Sequence, residues 1–130
     1  MTDFTGKFKQ TSSENRDALF KVLGFPDDVI NRVKIQTSDV EITKDGNNYT
    51  IKTVTPYKTW VNTFELGVEF ERTRYGIANA KSVVVAVGNQ LIETIKGEKE
   101  MNIVRKFCDN ELLVTITSGP VVSVATYVRQ

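Results

Sequence analysis

Few side chains in this sequence could carry out chemistry, and histidine, the commonest general base, is absent. The one cysteine, Cys108, therefore has no histidine to activate it, and no cysteine and histidine cluster has the spacing of a soft-metal site. Asp27 with Asp28 and Glu98 with Glu100 are paired carboxylates, but their turn-forming or charged neighbours are typical of solvated surface. The sequence therefore predicts no catalytic residue, no metal site, no cofactor and no enzymatic activity.

An arginine in an apolar strand is the strongest candidate for a functional side chain. In MNIVRKFC, a period of two places Met101, Ile103, Arg105 and Phe107 on one face. A buried, unpaired cation costs several kcal/mol, and a bidentate carboxylate would offset much of that cost. The alternative is an exposed strand in which Lys106 faces the core, which the alternation disfavours. We therefore expect the Arg105 side chain to point inward and to need an anionic partner.

The closing stretch VVSVATYVRQ is typical of a strand, yet it contains a phenol and a guanidinium. In a strand, Ala125, Tyr127 and Arg129 share one face. Both the tyrosine hydroxyl and the guanidinium are hydrogen-bond donors, so this face could contact a polar group. Arg129 lies near a chain end that could fray.

The elements that must position these side chains are mostly strands. Short β-rich runs alternate with turn signals about every 8 to 12 residues, which is typical of an all-β barrel or sandwich. A hairpin is predicted around Asp45-Gly46, and residues 82–130 form a predicted meander. Connections of the meander are predicted near Gly88-Asn89, Gly97, Asp109-Asn110 and Gly119-Pro120.

Two short helices are predicted in SSENRDALFKVLGFPDDVINRVKI, residues 12–35. Ser12 or Ser13 can cap the first helix, and Gly24 ends it. Pro26, followed by two aspartates, suits the start of the second. The predicted order is therefore one strand, a helical pair and about nine further strands.

Length and composition fit a single globular domain over residues 1–130, with 40% hydrophobic and 25% charged side chains. Seventeen basic and 16 acidic residues leave a formal charge of +1 without a long run of one sign, so no nucleic-acid partner is predicted.

A single cysteine is typical of a reducing compartment. The start MTDFTGKFKQ lacks the apolar core of a secretory signal, and no stretch approaches the roughly 20 apolar residues of a membrane span. We expect a cytoplasmic protein.

Characteristic stretches run along the whole chain: FTGKFK (4–9), SSEN (12–15), KVLG (21–24), FELGVEFE (64–71), AKSVV (80–84), IVRKF (103–107), DNELLVT (109–115) and the closing strand. In order and spacing they resemble the intracellular lipid-binding proteins, which include the cytosolic fatty-acid-binding and retinoid-binding proteins. The resemblance implies a ten-stranded antiparallel β-clam barrel, capped by a short helix-turn-helix near the N-terminus, around a water-containing cavity for one or two lipids. It also implies that two arginines and a tyrosine hold the bound carboxylate. One arginine lies on the eighth strand and the other in an Arg-x-Tyr pair on the last.

The residues of this carboxylate clamp are only partly present. Arg105 matches the arginine of the eighth strand and Tyr127 matches the tyrosine, but Ala125 stands where the second arginine is expected. Arg16 replaces an aromatic residue of the first helix that commonly touches the ligand, and Arg72 stands where an acidic side chain is common. Either could restore the missing charge, and the alternative for each is a surface arginine. The candidates for contact with the ligand headgroup are therefore Arg105, Tyr127, Arg16, Arg129 and Arg72.

The resemblance divides the remaining candidates between the cavity and its entrance. The side chains expected to contact the lipid tail are Phe20, Val33, Ile103, Val114 and Ile116. The second helix and the turns TPYKTW (55–60) and RTRYGIA (72–78) frame the entrance, where the portal candidates are Tyr57, Lys58, Trp60 and Tyr75. The aromatic residues of this set either form an amphipathic rim that touches anionic membranes or plug the mouth of the cavity.

The resulting prediction is a monomeric, cytosolic carrier that binds long-chain fatty acids or similar amphipathic lipids without a covalent bond and makes transient contact with anionic membranes. The alternative is a carrier of a retinoid or another lipid with an uncharged headgroup, which the alanine at position 125 favours. A barrel used mainly as a protein-interaction or structural module is the remaining alternative.

Overall fold

The computed structural model describes residues 4–22, 24, 26–33, 38–55, 59–71, 80–97 and 100–130. These residues form ten strands and two helices: β1 (Gly6–Glu14), α1 (Arg16–Val22), α2 (Asp27–Val33), β2 (Asp39–Asp45), β3 (Asn48–Val54), β4 (Thr59–Glu65), β5 (Phe70–Glu71), β6 (Lys81–Val87), β7 (Gln90–Lys96), β8 (Met101–Phe107), β9 (Glu111–Ser118) and β10 (Val121–Arg129).

The ten strands form one antiparallel sheet in the order β4-β3-β2-β1-β10-β9-β8-β7-β6-β5. The two edge strands, β4 and β5, are consecutive in the chain, and the sheet curls so that they approach each other. Beside them, the Gly67 N–H donates to the Val84 carbonyl at 2.8 Å, and the rings of Phe64 and Phe70 stack with centroids 5.4 Å apart. The sheet is therefore a nearly closed barrel, and the predicted fold class is confirmed.

Three hairpins of the barrel have a glycine in the turn, as the sequence predicts. Gly46, Gly88 and Gly119 are each the first of two loop residues, with φ angles of 61°, 58° and 57°. Glycine adopts a positive φ without the steric penalty that a Cβ brings. These turns set the pairing register, and the register decides which side chains face the interior.

The first helix packs on the barrel wall, but it begins later than predicted. In α1, Leu19 and Phe20 are buried, and the helix contacts β9, β10 and α2. The predicted cap at Ser12 or Ser13 is wrong because both serines pair with β10 as part of β1. The helix instead follows Asn15, whose carbonyl accepts a hydrogen bond from the Leu19 N–H at 3.1 Å.

The break between the helices agrees with the prediction. Gly24, with a φ of 88°, donates its N–H to the Lys21 carbonyl at 3.1 Å just beyond α1, and Pro26 directly precedes α2. Neither helix in the described part of the chain has the length and apolar character needed to cross a membrane.

Two apolar clusters make up the core of the barrel. One includes Phe4, Phe8, Val40, Ile42, Tyr49, Ile51, Phe64, Val84, Leu91, Phe107, Leu112 and Tyr127. The other joins the helices to the wall and consists of Leu19, Phe20, Ile30, Ala80, Ile95, Met101 and Ile103, with Val114, Ile116 and Val121 packed against it. Strand alternation also turns several polar side chains toward this interior.

Candidate functional site

Buried polar side chains interrupt the apolar interior at several places in the described part of the chain. One group of them lies beside α1 and includes Gln10, Ser38 and Tyr127, and another group crosses strands β6, β7 and β8. A buried polar group is unfavourable unless it is hydrogen-bonded, so both groups are candidates for a functional site. Within the ranges that the structure describes, no cluster of histidine, cysteine, aspartate and glutamate could hold a metal ion.

The first group lines a pocket of about 40 Å³ next to α1. Its lining consists of Gln10, Arg16, Leu19, Phe20, Ser38, Val114, Ile116, Ser123, Ala125 and Tyr127. A volume of this size holds a few water molecules or one small polar group. Because the lining combines a cation and hydroxyls with apolar side chains, the pocket can hold the polar head of an amphipathic molecule whose chain continues along the apolar interior.

Tyr127, Ser38 and Gln10 form one hydrogen-bonded network in this pocket. The Ser38 Oγ donates to Gln10 Oε1 at 3.0 Å and lies 2.8 Å from the Tyr127 hydroxyl. The Ser38 N–H donates to the same glutamine oxygen at 2.9 Å, and Gln10 faces Tyr127 in the ladder between β1 and β10. Because the single Ser38 hydroxyl proton goes to Gln10, the Tyr127 hydroxyl is the donor to Ser38. A carboxylate placed here would accept that proton in place of the serine.

Arg16 brings a cation to the same pocket. It is the first residue of α1, and its guanidinium carbon lies 5.7 Å from the ring centre of Phe20, one helical turn later. Ala125 lines the same pocket, so a small side chain stands where the resemblance leads us to expect a second arginine. The structure thus brings Arg16, Ala125 and Tyr127 together. This is the arrangement required if Arg16 supplies the charge that is missing at position 125.

Arg105 is buried, as predicted, but the protein itself supplies an anionic partner. Arg105 Nη1 donates to Glu93 Oε1 at 2.8 Å, and the two side chains are only 6% and 0% exposed. Glu93 belongs to the inward row of β7 with Leu91 and Ile95, and it faces Ile103 in β8. The predicted inward orientation of Arg105 is confirmed. Its role as an anchor for a ligand carboxylate stays a prediction, and the Glu93 carboxylate already balances the charge of the guanidinium.

Arg129 lies outside the lining of this pocket. Its Nη1 donates to the Thr5 carbonyl at 2.8 Å, and its guanidinium carbon lies 4.8 Å from the ring centre of Phe8. Its backbone N–H donates to the Asn110 carbonyl at 2.7 Å, so the end of β10 is paired instead of frayed. Arg129 therefore links the last strand to the segment before β1 through a hydrogen bond to Thr5. The structure does not bring its guanidinium into the pocket with Tyr127.

Most of the predicted tail contacts lie together. Phe20, Val114 and Ile116 line the pocket, and Ile103 belongs to the same apolar cluster as Phe20. Val33 ends α2, and its side chain lies outside the described residues.

Of the portal candidates, the structure describes only Trp60. This residue lies on the inward face of β4, where it alternates with the buried Asn62 and Phe64, and its side chain is half-buried. The other portal candidates Tyr57, Lys58 and Tyr75, together with the headgroup candidate Arg72, lie outside the described residues.

Sequence reasoning missed the buried polar side chains Gln10, Ser38, Ser82 and Glu93. The signal for Glu93 was available, because QLIETIK alternates in the same way as the strand that carries Arg105. Ser82 is only 1% exposed, and its hydroxyl has no hydrogen-bond partner among the residues that the structure describes. Ser38 precedes β2 and belongs to no periodic row, so no sequence pattern indicated its contact with Tyr127.

Comparison with known proteins gives a consistent result. Residues 2–126 match the model of the lipocalin / cytosolic fatty-acid binding protein family. A fatty acid-binding protein of Tyrophagus putrescentiae is 38% identical over 131 residues and covers 100% of both chains. A solved fatty acid-binding protein from brain tissue of Drosophila melanogaster has a TM-score of 0.92 at 38% identity, covering 97% of this chain and 99% of that one. A Schistosoma mansoni fatty acid binding protein in complex with arachidonic acid has a TM-score of 0.91 at 30% identity, covering 98% and 96%.

Proposed function

We propose that this chain, which belongs to the lipocalin / cytosolic fatty-acid binding protein family, binds a long-chain fatty acid or similar amphipathic lipid inside its barrel. It carries the lipid as a monomer in the cytoplasm and performs no chemical step on it. The observation that carries this proposal is the pocket in which Arg16 and Tyr127 lie beside the apolar Phe20, Val114 and Ile116. The complex of the Schistosoma mansoni relative with arachidonic acid supports the ligand class.

In this proposal the carboxylate of the fatty acid lies between Arg16 and Tyr127. The Tyr127 hydroxyl turns from Ser38 to the carboxylate, and Arg16 supplies the opposite charge. Hydrogen bonds that involve a charged group contribute about 1.5–3 kcal/mol each. Arg105 is not needed for this contact, because the Glu93 carboxylate already balances the charge of its guanidinium.

The lipid tail supplies most of the driving force. Removal of each CH₂ group from water is favourable by about 0.8 kcal/mol, and the loss of motional freedom on binding opposes the sum. The tail lies against Phe20, Ile103, Val114 and Ile116, which already form one apolar surface with the pocket. The headgroup contact therefore sets orientation and selectivity more than total affinity.

The entrance of the barrel is proposed to lie at the portal candidates named above, and an anionic membrane to touch it transiently during transfer. Trp60 faces inward from the start of β4, which favours a role as a plug of the cavity mouth over a role as an outward rim.

A second candidate is a carrier of a retinoid or another lipid with an uncharged headgroup. The buried ion pair between Arg105 and Glu93 favours it, because this pair leaves no net positive charge at that place in the interior. Ala125 favours it as well, because it removes the second arginine of the clamp.

A displacement titration separates the two candidates. A bound fluorescent fatty acid is displaced by octadecanoic acid, by its methyl ester and by retinol. We expect the acid to bind roughly 10- to 100-fold more tightly than the ester, as charge-assisted hydrogen bonds imply. Arg16→Gln should remove that difference and leave the affinity of the ester unchanged, whereas Lys9→Gln, at an exposed cation on β1, should change neither.

The outcomes of this titration are distinct. Ester or retinol affinity equal to that of the acid would support the uncharged-headgroup candidate. An acid preference that survives Arg16→Gln would move the carboxylate away from Arg16. Failure of all three lipids to displace the probe would contradict the carrier function itself.

A further inference from the structure

Three polar side chains form a diagonal row across the interior wall of the barrel. Glu93 on β7 faces Val84 on β6 and Ile103 on β8. Ser82 lies two residues before Val84, and Arg105 lies two residues after Ile103, so the row runs Ser82, Glu93, Arg105 across three adjacent strands. All three residues are at least 95% buried, with 1%, 0% and 5% of their surfaces exposed. This set is called the polar row below.

The charges of the polar row restrict what can bind to it. Glu93 and Arg105 form a 2.8 Å ion pair that is shielded from water, so their charges cancel. A second carboxylate brought to Arg105 would approach the buried anion of Glu93, and like charges at close range disfavour each other in a poorly solvated interior. A neutral hydroxyl or carbonyl oxygen adds no charge, and the guanidinium has five N–H donors of which one is used for this bond.

Ser82 provides the independent observation that points to a ligand. Its hydroxyl is buried and has no hydrogen-bond partner among the described residues. Such unpaired groups are rare in native proteins, because a buried hydroxyl without a partner is unfavourable. Glu93 is the diagonal neighbour of Ser82, so a hydroxyl bound between them would accept a hydrogen bond from Ser82 and donate one to the carboxylate, and a carbonyl oxygen would accept one from Ser82.

The position of the row relative to the proposed headgroup pocket selects the part of the lipid that reaches it. Ala125 in that pocket faces Val114 on β9, and Val114 faces Arg105 on β8. Two strand spacings of about 4.8 Å place the backbones of Ala125 and Arg105 about 10 Å apart. A chain whose carboxylate lies in the pocket therefore reaches the row with a carbon in its middle, not with its head.

We propose that the polar row is a second binding subsite, which accepts a neutral hydroxyl or carbonyl group on the chain of the lipid. Ser82, Glu93 and Arg105 would thereby make the protein selective for oxygenated fatty acids over plain ones. This inference rests on the proposed function, since it assumes that the carboxylate lies in the pocket beside Arg16.

The test uses the positional isomers of hydroxyoctadecanoic acid, with octadecanoic acid as the reference, in the same displacement titration. The isomers whose hydroxyl lies near the middle of the chain should bind roughly tenfold more tightly than those hydroxylated near the methyl end. Ser82→Ala and Glu93→Gln should each remove this positional preference without weakening the binding of octadecanoic acid. Ser118→Ala is the matched control, because Ser118 is also buried but already donates its hydroxyl to the Glu100 carbonyl at 3.1 Å.

The results separate the inference from the function on which it rests. Isomers that bind with equal affinity, or a preference that survives Ser82→Ala, would overturn the subsite. The polar row would then be a structural ion pair, with water as the hydrogen-bond partner of Ser82. Should Glu93→Gln fail to fold, the comparison of Ser82→Ala with Ser118→Ala still decides the outcome. Failure of octadecanoic acid to bind the unmodified protein would instead overturn the proposed function and the subsite with it.

Discussion

Replacing Glu93 by glutamine should destabilise the protein strongly, although glutamate and glutamine side chains have nearly the same shape. The substitution keeps an oxygen that can accept the hydrogen bond from Arg105, but it removes the anion next to a guanidinium whose side chain is only 6% exposed. Removing one partner of a buried ion pair costs about 3–5 kcal/mol, because the remaining charge stays buried without compensation.

This loss should be visible in urea and in thermal unfolding. With an unfolding entropy of about 2.1 cal/mol/K per residue, the melting temperature of a chain of 130 residues should fall by roughly 10–18 °C. The double variant Glu93→Gln with Arg105→Gln should be more stable than Glu93→Gln alone, since it removes the uncompensated cation.

A matched control is the same substitution at Glu41. Its carboxylate lies 3.6 Å from the Lys7 ammonium, but the two side chains are 39% and 74% exposed, so water screens the pair. Glu41→Gln should therefore change the free energy of unfolding by less than about 1 kcal/mol. Equal effects at positions 41 and 93, or a double variant less stable than Glu93→Gln, would refute the account of Arg105 and Glu93 as a buried ion pair.

Further predictions concern the pocket, the entrance and the contact between β1 and Arg129. Ala125→Arg should lower both stability and fatty-acid affinity, because the new cation meets Arg16 in one pocket. The added change Arg16→Phe should then recover affinity in a displacement titration, and strictly additive effects would show that the two sites do not communicate. Trp60→Ala should weaken equilibrium binding, because Trp60 faces inward, whereas slower transfer to anionic vesicles at unchanged affinity would assign it to the rim. Gly6→Ala should lower the free energy of unfolding by about 1–3 kcal/mol in urea, because a Cβ at a φ of 143° would meet the Arg129 guanidinium. A change below about 0.5 kcal/mol would contradict that contact.

Much of the barrel could be predicted because its determinants are local. Alternation of apolar side chains identifies strands, and the glycines at positions 46, 88 and 119 mark hairpins through a positive φ that other residues avoid. The inward orientation of Arg105 follows from the same period of two. The misplaced cap at Ser12 or Ser13 shows the limit of local signals, because pairing with β10 outweighs the preference of serine for a helix start.

The site was harder to predict because its contacts are made between distant parts of the chain. Ser38 and Tyr127 are 89 residues apart in sequence, and Arg129 is 124 residues from the Thr5 carbonyl that it binds. Alternation alone predicts Arg105 as a buried cation, and the same alternation in QLIETIK places Glu93 on the inward row of β7. The contact between the two side chains depends on the pairing of β7 with β8, which alternation within one strand does not specify.

The most direct test of the account is a crystal structure of the protein with octadecanoic acid bound. We predict a carboxylate within hydrogen-bond distance of the Tyr127 hydroxyl and the Arg16 guanidinium, with the ion pair between Glu93 and Arg105 still at about 2.8 Å. A carboxylate bound to Arg105, with Glu93 displaced from it, would contradict the account.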